Sequence, residues 1–365
     1  MSRSTWACGL VLALAWPFPL AAQAQSLAVS GVLQSPAVRI PNAAHAVFSS
    51  VVRAGDRLVA VGERGLILLS DDNGQQWRQA SVPVSVGLTA VQFVDARHGW
   101  AVGHSGVVLV SSDGGENWQL QLDGVRAAQL ELGAAQDALG SATDGDAAQA
   151  RVDAAQRLVD DGADKPLLNL HFTDARNGLV VGAYGMALQT HDGGQSWQSM
   201  VGQIDNPMGL HLYVVAQQGS DWYLAGEQGF LARSDDAGQH FEQLQSPYEG
   251  TFFTLVARQD GSLLLGGLKG NAFLIRDAGD SIEPLAVPMP VSFSDGTRLT
   301  DGRVLLANQA GAVFVLDAAD QRMQVLLPPQ GRPLAGLTQA ADGSLVAAGF
   351  SGLSQLSLST AKVSE

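Results

Sequence analysis

The chain has 365 residues, 21 basic and 35 acidic side chains for a net charge of −14 at neutral pH, 42 glycines and one cysteine. That charge repels polyanions such as DNA and anionic membrane faces at long range, so nucleic acid is excluded as a partner. Residues 1–24 read as a secretory signal: Arg3 supplies the basic region, Trp6 to Leu20 the apolar run, and Ala22-Gln23-Ala24 the small-residue cleavage site. The apolar run is broken by Pro17 and Pro19 and is shorter than the roughly 20 residues of a spanning helix. The expected product, residues 25–365, is periplasmic or otherwise exported, and soluble rather than membrane-embedded. It loses one positive charge and no negative one, moving the net charge from −14 to −15. Cys8 leaves with the signal, which excludes disulfides, thiolate metal sites and cysteine nucleophiles.

From Val61 onward one phrase returns seven times. Its first copy runs from Val61-Gly62-Glu63-Arg64-Gly65 through an apolar strand to Ser70-Asp71-Asp72-Asn73-Gly74-Gln75-Gln76-Trp77. The second spans Gly103 and Gly106 to Asp113 and Trp118, the third Gly182 and Gly185 to Asp192 and Trp197, and the fourth Gly226 and Gly229 to Asp236 and Phe241. The second glycines stand at 65, 106, 185, 229, 270, 311 and 352, with intervals of 41, 79, 44, 41, 41 and 41. Each repeat holds four short alternating apolar runs separated by Gly, Asp and Asn, as in Leu88 to Val94, Gly99 to Val102, Val107 to Ser111 and Asn117 to Leu122. Four strands in about 40 to 45 residues make one propeller blade, so the fold predicted is all-β, a seven-bladed β-propeller with four-stranded blades. The seventh copy lacks a fourth strand, and Leu27 to Ile40 is expected to supply it and close the ring.

The interval of 79 contains one repeat and an insertion, 123–166, between blades two and three. It turns abruptly to Ala, Gln, Leu and Asp and predicts a helical hairpin, with helices over Arg126 to Leu139 and Asp146 to Asp160. Its apolar residues, among them Leu130, Leu132, Val152, Leu158 and Val159, could pack the pair together or meet a partner.

The Ser/Thr-x-Asp-x-Gly-x-x-aromatic phrase is the Asp box, or BNR signature. Its Asp accepts turn amides, its Gly takes a backbone angle closed to other residues, and its aromatic packs between blades. Asp72, Trp77, Asp113, Trp118, Asp192, Trp197, Asp236 and Phe241 are therefore expected to be structural. The run Val91-Gln92-Phe93-Val94-Asp95-Ala96-Arg97-His98-Gly99-Trp100 with its Asp box, and Phe172-Thr173-Asp174-Ala175-Arg176-Asn177-Gly178, resemble the photosystem II stability and assembly factor family, in its non-photosynthetic bacterial branch. The resemblance covers blades one to four, with blades five to seven matching in periodicity. It implies a propeller that is exported and serves a protein client, and a client surface with an arginine patch, for which Arg64, Arg97 and Arg176 are the nearest residues.

Turns alternate between the two ends of a blade. The turn after the first strand shares one face with the Asp box, and the Gly-x-x-Gly turn after the second strand shares the other with every inter-blade connection. The second face carries varied residues: Glu63, Arg64, His104, Tyr184, Glu227, Gln228, Lys269, Gln309 and Phe350. Variety in loops on a rigid scaffold marks a binding surface, so this face and the hairpin are expected to hold a protein client, a membrane or export complex. The alternative is an Asp-box glycosidase of the sialidase kind or a carbohydrate-binding propeller. Arg39-Ile40-Pro41 matches a sialidase arginine motif, and Glu63 with Glu227 is the one paired-carboxylate candidate. No matched set of further arginines, tyrosine nucleophile and glutamate accompanies them. Histidines are dispersed, with no metal-ligand spacing, and there is no nucleophile elbow or phosphate loop, so neither catalysis, metal nor cofactor is expected.

Overall fold

Alternating apolar residues and glycine-rich turns build the same antiparallel meander seven times over. A computed structural model describes residues 31–317 and 322–357, so the expected signal segment lies outside the described residues. Blade one consists of Phe48–Ala54, Arg57–Gly62, Ile67–Ser70 and Arg78–Gln79, hydrogen-bonded in that order. Blades two to six repeat the four-stranded order, starting at Leu88, Leu167, Leu212, Phe252 and Phe293, and blade seven has three described strands, Leu334–Gln339, Leu345–Gly349 and Gly352–Leu356. The protein is a seven-bladed β-propeller.

The Asp boxes are closed hydrogen-bonded turns. In blade one the Ser70 hydroxyl donates to Asp72 Oδ1 (2.8 Å) and accepts from the Gly74 amide (2.8 Å), while Asp72 Oδ1 accepts the Gln76 amide (2.9 Å). Gly74 has φ +88°, a left-handed angle that glycine adopts without steric cost. The same circuit recurs at Ser111 with Asp113, Thr190 with Asp192 and Ser234 with Asp236. Each aromatic that follows packs back onto the preceding blade: Trp118 against Val59, Val61 and Leu69, Trp197 against Trp100 and Val102, and Phe241 against Leu179 and Val181.

Ring closure departs from expectation. The described part of the N-terminal segment, Gly31 to Ile40, forms no strand in blade seven, and Leu27 to Ser30 lie outside the described residues. The segment instead lies along the outer edge of blade one. The Ala37 amide donates to Val82 O (3.1 Å), the Ser85 amide to Val32 O (2.9 Å), and Leu33 and Ala37 pack on the blade one to two core. Blades seven and one meet through side chains: Phe48, Val51, Leu58 and Leu68 pack with Ala340, Val346 and Ala348, and the partly buried Trp77 joins them. Gln355 Nε2 donates to Asn73 O (2.6 Å) across the same junction.

The insertion forms two helices, α1 (Gly124–Leu139) and α2 (Gly145–Asp161). Asp123 and Asp144 cap them, accepting the Arg126 and Ala147 amides at 3.0 Å each. α1 docks on the propeller. Ala127, with Leu130, joins the core between blades two and three, and the buried Glu131 accepts from Arg151 Nε (2.9 Å) and Nη2 (3.0 Å) and from the Ser199 hydroxyl of blade three.

Candidate functional site: the inter-blade face

Five of the seven turns after second strands, those of blades one to five, share one geometry. Arg64, Ser105, Tyr184, Gln228 and Lys269 all adopt left-handed angles, φ +51° to +58°, and a left-handed glycine follows each. That glycine is required by space as well as by φ: a Cβ at Gly65 would stand 2.2 Å from Val84 O, and one at Gly229 would stand 1.8 Å from Tyr248 O. Both carbonyls belong to inter-blade connections, so turns and connections lock together on one face. Non-glycine residues in left-handed angles each cost about 1 kcal/mol or more. Four of the five, Arg64, Tyr184, Gln228 and Lys269, are exposed.

The residues expected on this face fall into four settings. Glu63, Arg64, His104, Gln228 and Lys269 stand exposed on their turns. Tyr184 borders a groove of about 790 Å3 between α2 and the connection from blade three to blade four. The groove is walled by Ala147, Ala150, Ala154 and Leu158 with Arg151, Arg157 and Asp161 on the helix side, and by Val201, Ile204 and Met208 with Asp205 on the propeller side. Gln309 and Phe350 rim the central cavity, about 440 Å3, at the ring axis. Glu227 lies between groove and cavity, half-buried, with Oε2 accepting the His211 amide (3.0 Å) and Oε1 3.6 Å from His211 Nδ1.

An aromatic track joins groove to cavity. Ring centroids of Tyr184 and His211 are 4.9 Å apart, those of His211 and Tyr213 6.4 Å, and those of Tyr213 and Phe253 5.2 Å. The Lys165 ammonium lies over the Tyr184 ring, 5.0 Å from its centroid, and is paired with Asp161 (3.0 Å) and Asp164 (2.6 Å). Burial, and then the nearby Glu227 charge, raise the Tyr213 phenol above its ordinary pKa. Large apolar side chains stand in water along the face: Met208 is 75% exposed, Phe350 66% and Tyr184 56%.

The cavity is built by a feature absent from the expectations. Every first strand carries a β-bulge near its start, placing Ser49, Thr89, Leu168, Tyr213, Phe253, Ser294 and Ala335 opposite no partner of their own. All seven line the cavity, as expected of bulges that re-aim side chains. Met208, His211, Tyr213 and Phe253 were not singled out for this face by the sequence reading. A usable signal did exist for the two bulge aromatics, since each bulge lies 16 or 17 residues before the second glycine of its repeat.

Other expectations need correction. Arg97 and Arg176 lie in turns after first strands, on the Asp-box face, so they form no patch with Arg64. Their amides, rather than their guanidiniums, bond Asp95 (2.7 Å) and Asp174 (2.6 Å), and Arg97 Nε reaches Ser112 O (3.3 Å). Arg39 Nη1 meets Gln79 O (3.4 Å) on the outer edge of blade one, remote from the cavity lining. Glu63 and Glu227 belong to blades one and four and neither lines the cavity, so the paired-carboxylate arrangement is not assembled there. Among the described residues, no group of three His, Cys, Asp or Glu could hold a metal ion, and no helix is long and apolar enough to cross a membrane.

Comparison with known proteins agrees with this architecture. The family described as photosynthesis system II assembly factor YCF48 matches residues 69–132 and 149–324, and the break falls within the hairpin. The photosystem II assembly lipoprotein Ycf48 of Synechococcus sp. (strain CC9902) is 31% identical over 77 residues, 21% of this chain and 23% of that protein, so the chain aligns with about a quarter of this relative's length. Among solved structures, YCF48 bound to D1 peptide is 16% identical with a TM-score of 0.60, covering 87% of this chain and 94% of its own. YCF48 from Cyanidioschyzon merolae is 14% identical (TM-score 0.60; 87% and 97% covered), and a streptogramin B lyase is 12% identical (TM-score 0.64; 90% and 100%). At these identities the structural likeness speaks for the fold. With the family profile matching well over half its length, the chain belongs to the photosystem II assembly factor YCF48 family.

Proposed function

We propose that the chain is a non-enzymatic assembly scaffold that acts after export and holds an extended segment of a client protein, a subunit of a membrane or exported complex, on its inter-blade face. The observation that carries this is the aromatic track: Tyr184, His211, Tyr213 and Phe253 run from the groove beside α2 to the central cavity, flanked by exposed Met208 and Phe350. Aromatic and methionine side chains are the residues enriched at protein interfaces, and exposed apolar surface of this kind costs solubility unless a partner covers it. A related YCF48 structure carries a D1 peptide, which supports a polypeptide rather than a glycan as ligand.

The test is capture of client from exported proteins of the source cell, with cross-linking and mass spectrometry. The double variant Tyr184→Ala/Met208→Ala should lose the client by about tenfold or more, in line with removal of two interface anchors, and keep its unfolding midpoint. Arg97→Ala and Arg176→Ala, on the opposite face, should capture client at the parental level. Equal loss from both faces would contradict the assignment.

A further inference from the structure

We propose that the central cavity is a binding site for an organic cation of side-chain size, an alkylammonium or guanidinium group, held by the Asp295 carboxylate beside the rings of Tyr213 and Phe253, with Phe350 at the rim. Among the described residues lining the cavity, Asp295 is the single charged side chain. A lone carboxylate and several π-faces in a partly desolvated chamber are the elements with which proteins hold organic cations.

Comparison of repeats separates this role from a structural one. Asp295 follows the bulge of blade six, and Asn169 holds the equivalent place in blade three. Each side chain makes the same bond to the next blade: Asn169 Oδ1 accepts the Val215 amide (3.4 Å), and Asp295 Oδ2 accepts the Leu337 amide (2.7 Å). A neutral amide therefore suffices to join the blades, and the charge at blade six is surplus to that task. Asp295 lines the cavity together with Gln309 and Phe350.

Among the described residues that line the cavity, no cationic side chain answers it. The lining contributed by the seven blades contains no Lys, Arg, His or Glu, and Tyr213 is the other titratable group, with His211 and Glu227 behind it. Burial pushes the Asp295 carboxyl up to about 7, and the amides of Leu337 and Gly296 offset part of that rise. A bound cation favours the ionised form, so binding draws a proton off Asp295 and strengthens as pH rises from about 5.5 to 8.

The experiment titrates the full chain by NMR with N-acetyl-lysine methylamide, butylammonium and the neutral N-acetyl-norleucine methylamide. The lysine probe should bind and the norleucine probe should not, with affinity rising with pH. Asp295→Asn, which keeps an acceptor for the Leu337 amide, should weaken lysine binding at pH 8 by about tenfold or more and abolish its pH dependence. Phe350→Ala, at an exposed position, should weaken it less and keep the pH dependence. Butylammonium binding as well as the lysine probe would identify a free amine as the source, and binding of the lysine probe alone would identify a polypeptide side chain; either supports the site. Equal binding of the norleucine probe, unchanged affinity in Asp295→Asn, or affinity falling with pH would overturn it.

Discussion

The two faces of the ring spend their polar groups in opposite ways. On the Asp-box face charged groups are answered from within: Arg57 and Arg78 bridge Asp71 and Glu116 at 2.5 to 3.1 Å, and four turns close on their own carboxylates. On the inter-blade face side chains are held outward on left-handed residues, and large apolar groups stand in water. The first face is organised to join blades and the second to present side chains, although both grow from the same repeat. Sequence regularity therefore marks the structural face, and divergence among repeats marks the one open to a partner.

Three perturbations would break or sharpen this contrast. The largest effect is expected from Trp118→Ala. The ring is 4% exposed, packs on blade one and donates from Nε1 to Gly115 O (2.9 Å). Its removal should cost about 3–5 kcal/mol in denaturant unfolding, while client capture per folded molecule stays unchanged. A capture defect without loss of stability would mean that the Asp-box face also binds.

Arg151→Met should come next, acting on the hairpin rather than the ring. It leaves the buried Glu131 carboxylate with the Ser199 hydroxyl alone, a local cost of about 3 kcal/mol. Amide exchange should quicken in α1 and α2 and hold its parental rate in blades four to seven. Adding Glu131→Gln should restore part of the protection, since the uncompensated charge is gone.

The smallest effect is acid sensitivity of the turns. The Ser196 hydroxyl and amide, then Thr190, hold Asp192 down to about 2, and the His240 amide, Ser234 hydroxyl and His240 ring hold Asp236 well below the carboxylate range against the burial that opposes them. A carboxylate with a depressed folded pKa stabilises above its unfolded value of about 4, and that contribution is lost as pH falls through the folded pKa. The urea midpoint should therefore drop between pH 4 and pH 2, and Asp192→Asn should flatten that drop. An unaltered acid profile in the variant would show that the turn does not depend on its charge.

Much of this contrast was legible in the sequence because glycine spacing and Asp boxes report backbone needs that other residues cannot meet. Second glycines at a 41-residue spacing located the blades, and the Asp and Gly flanks located helices within two residues of Gly124–Leu139 and Gly145–Asp161. Apolar content in Leu27 to Ile40 says that the segment packs, not on which blade, and its described part, 31–40, lies on blade one. Leu33 and Ala37 found a surface on blade one, while Trp77 already served the junction with blade seven. The cavity was illegible for another reason. A bulge breaks the two-residue alternation at the position it re-aims, so Tyr213 and Phe253 read as ordinary strand residues until their pairing was seen.

The central claim is tested most directly by photo-cross-linking from single positions on each face, with a benzophenone amino acid at Tyr184 or Phe350 on one and at Arg97 or Arg176 on the other. The account predicts client adducts from Tyr184 and Phe350 and none above background from Arg97 and Arg176. Adducts concentrated at Arg97 and Arg176 would contradict it.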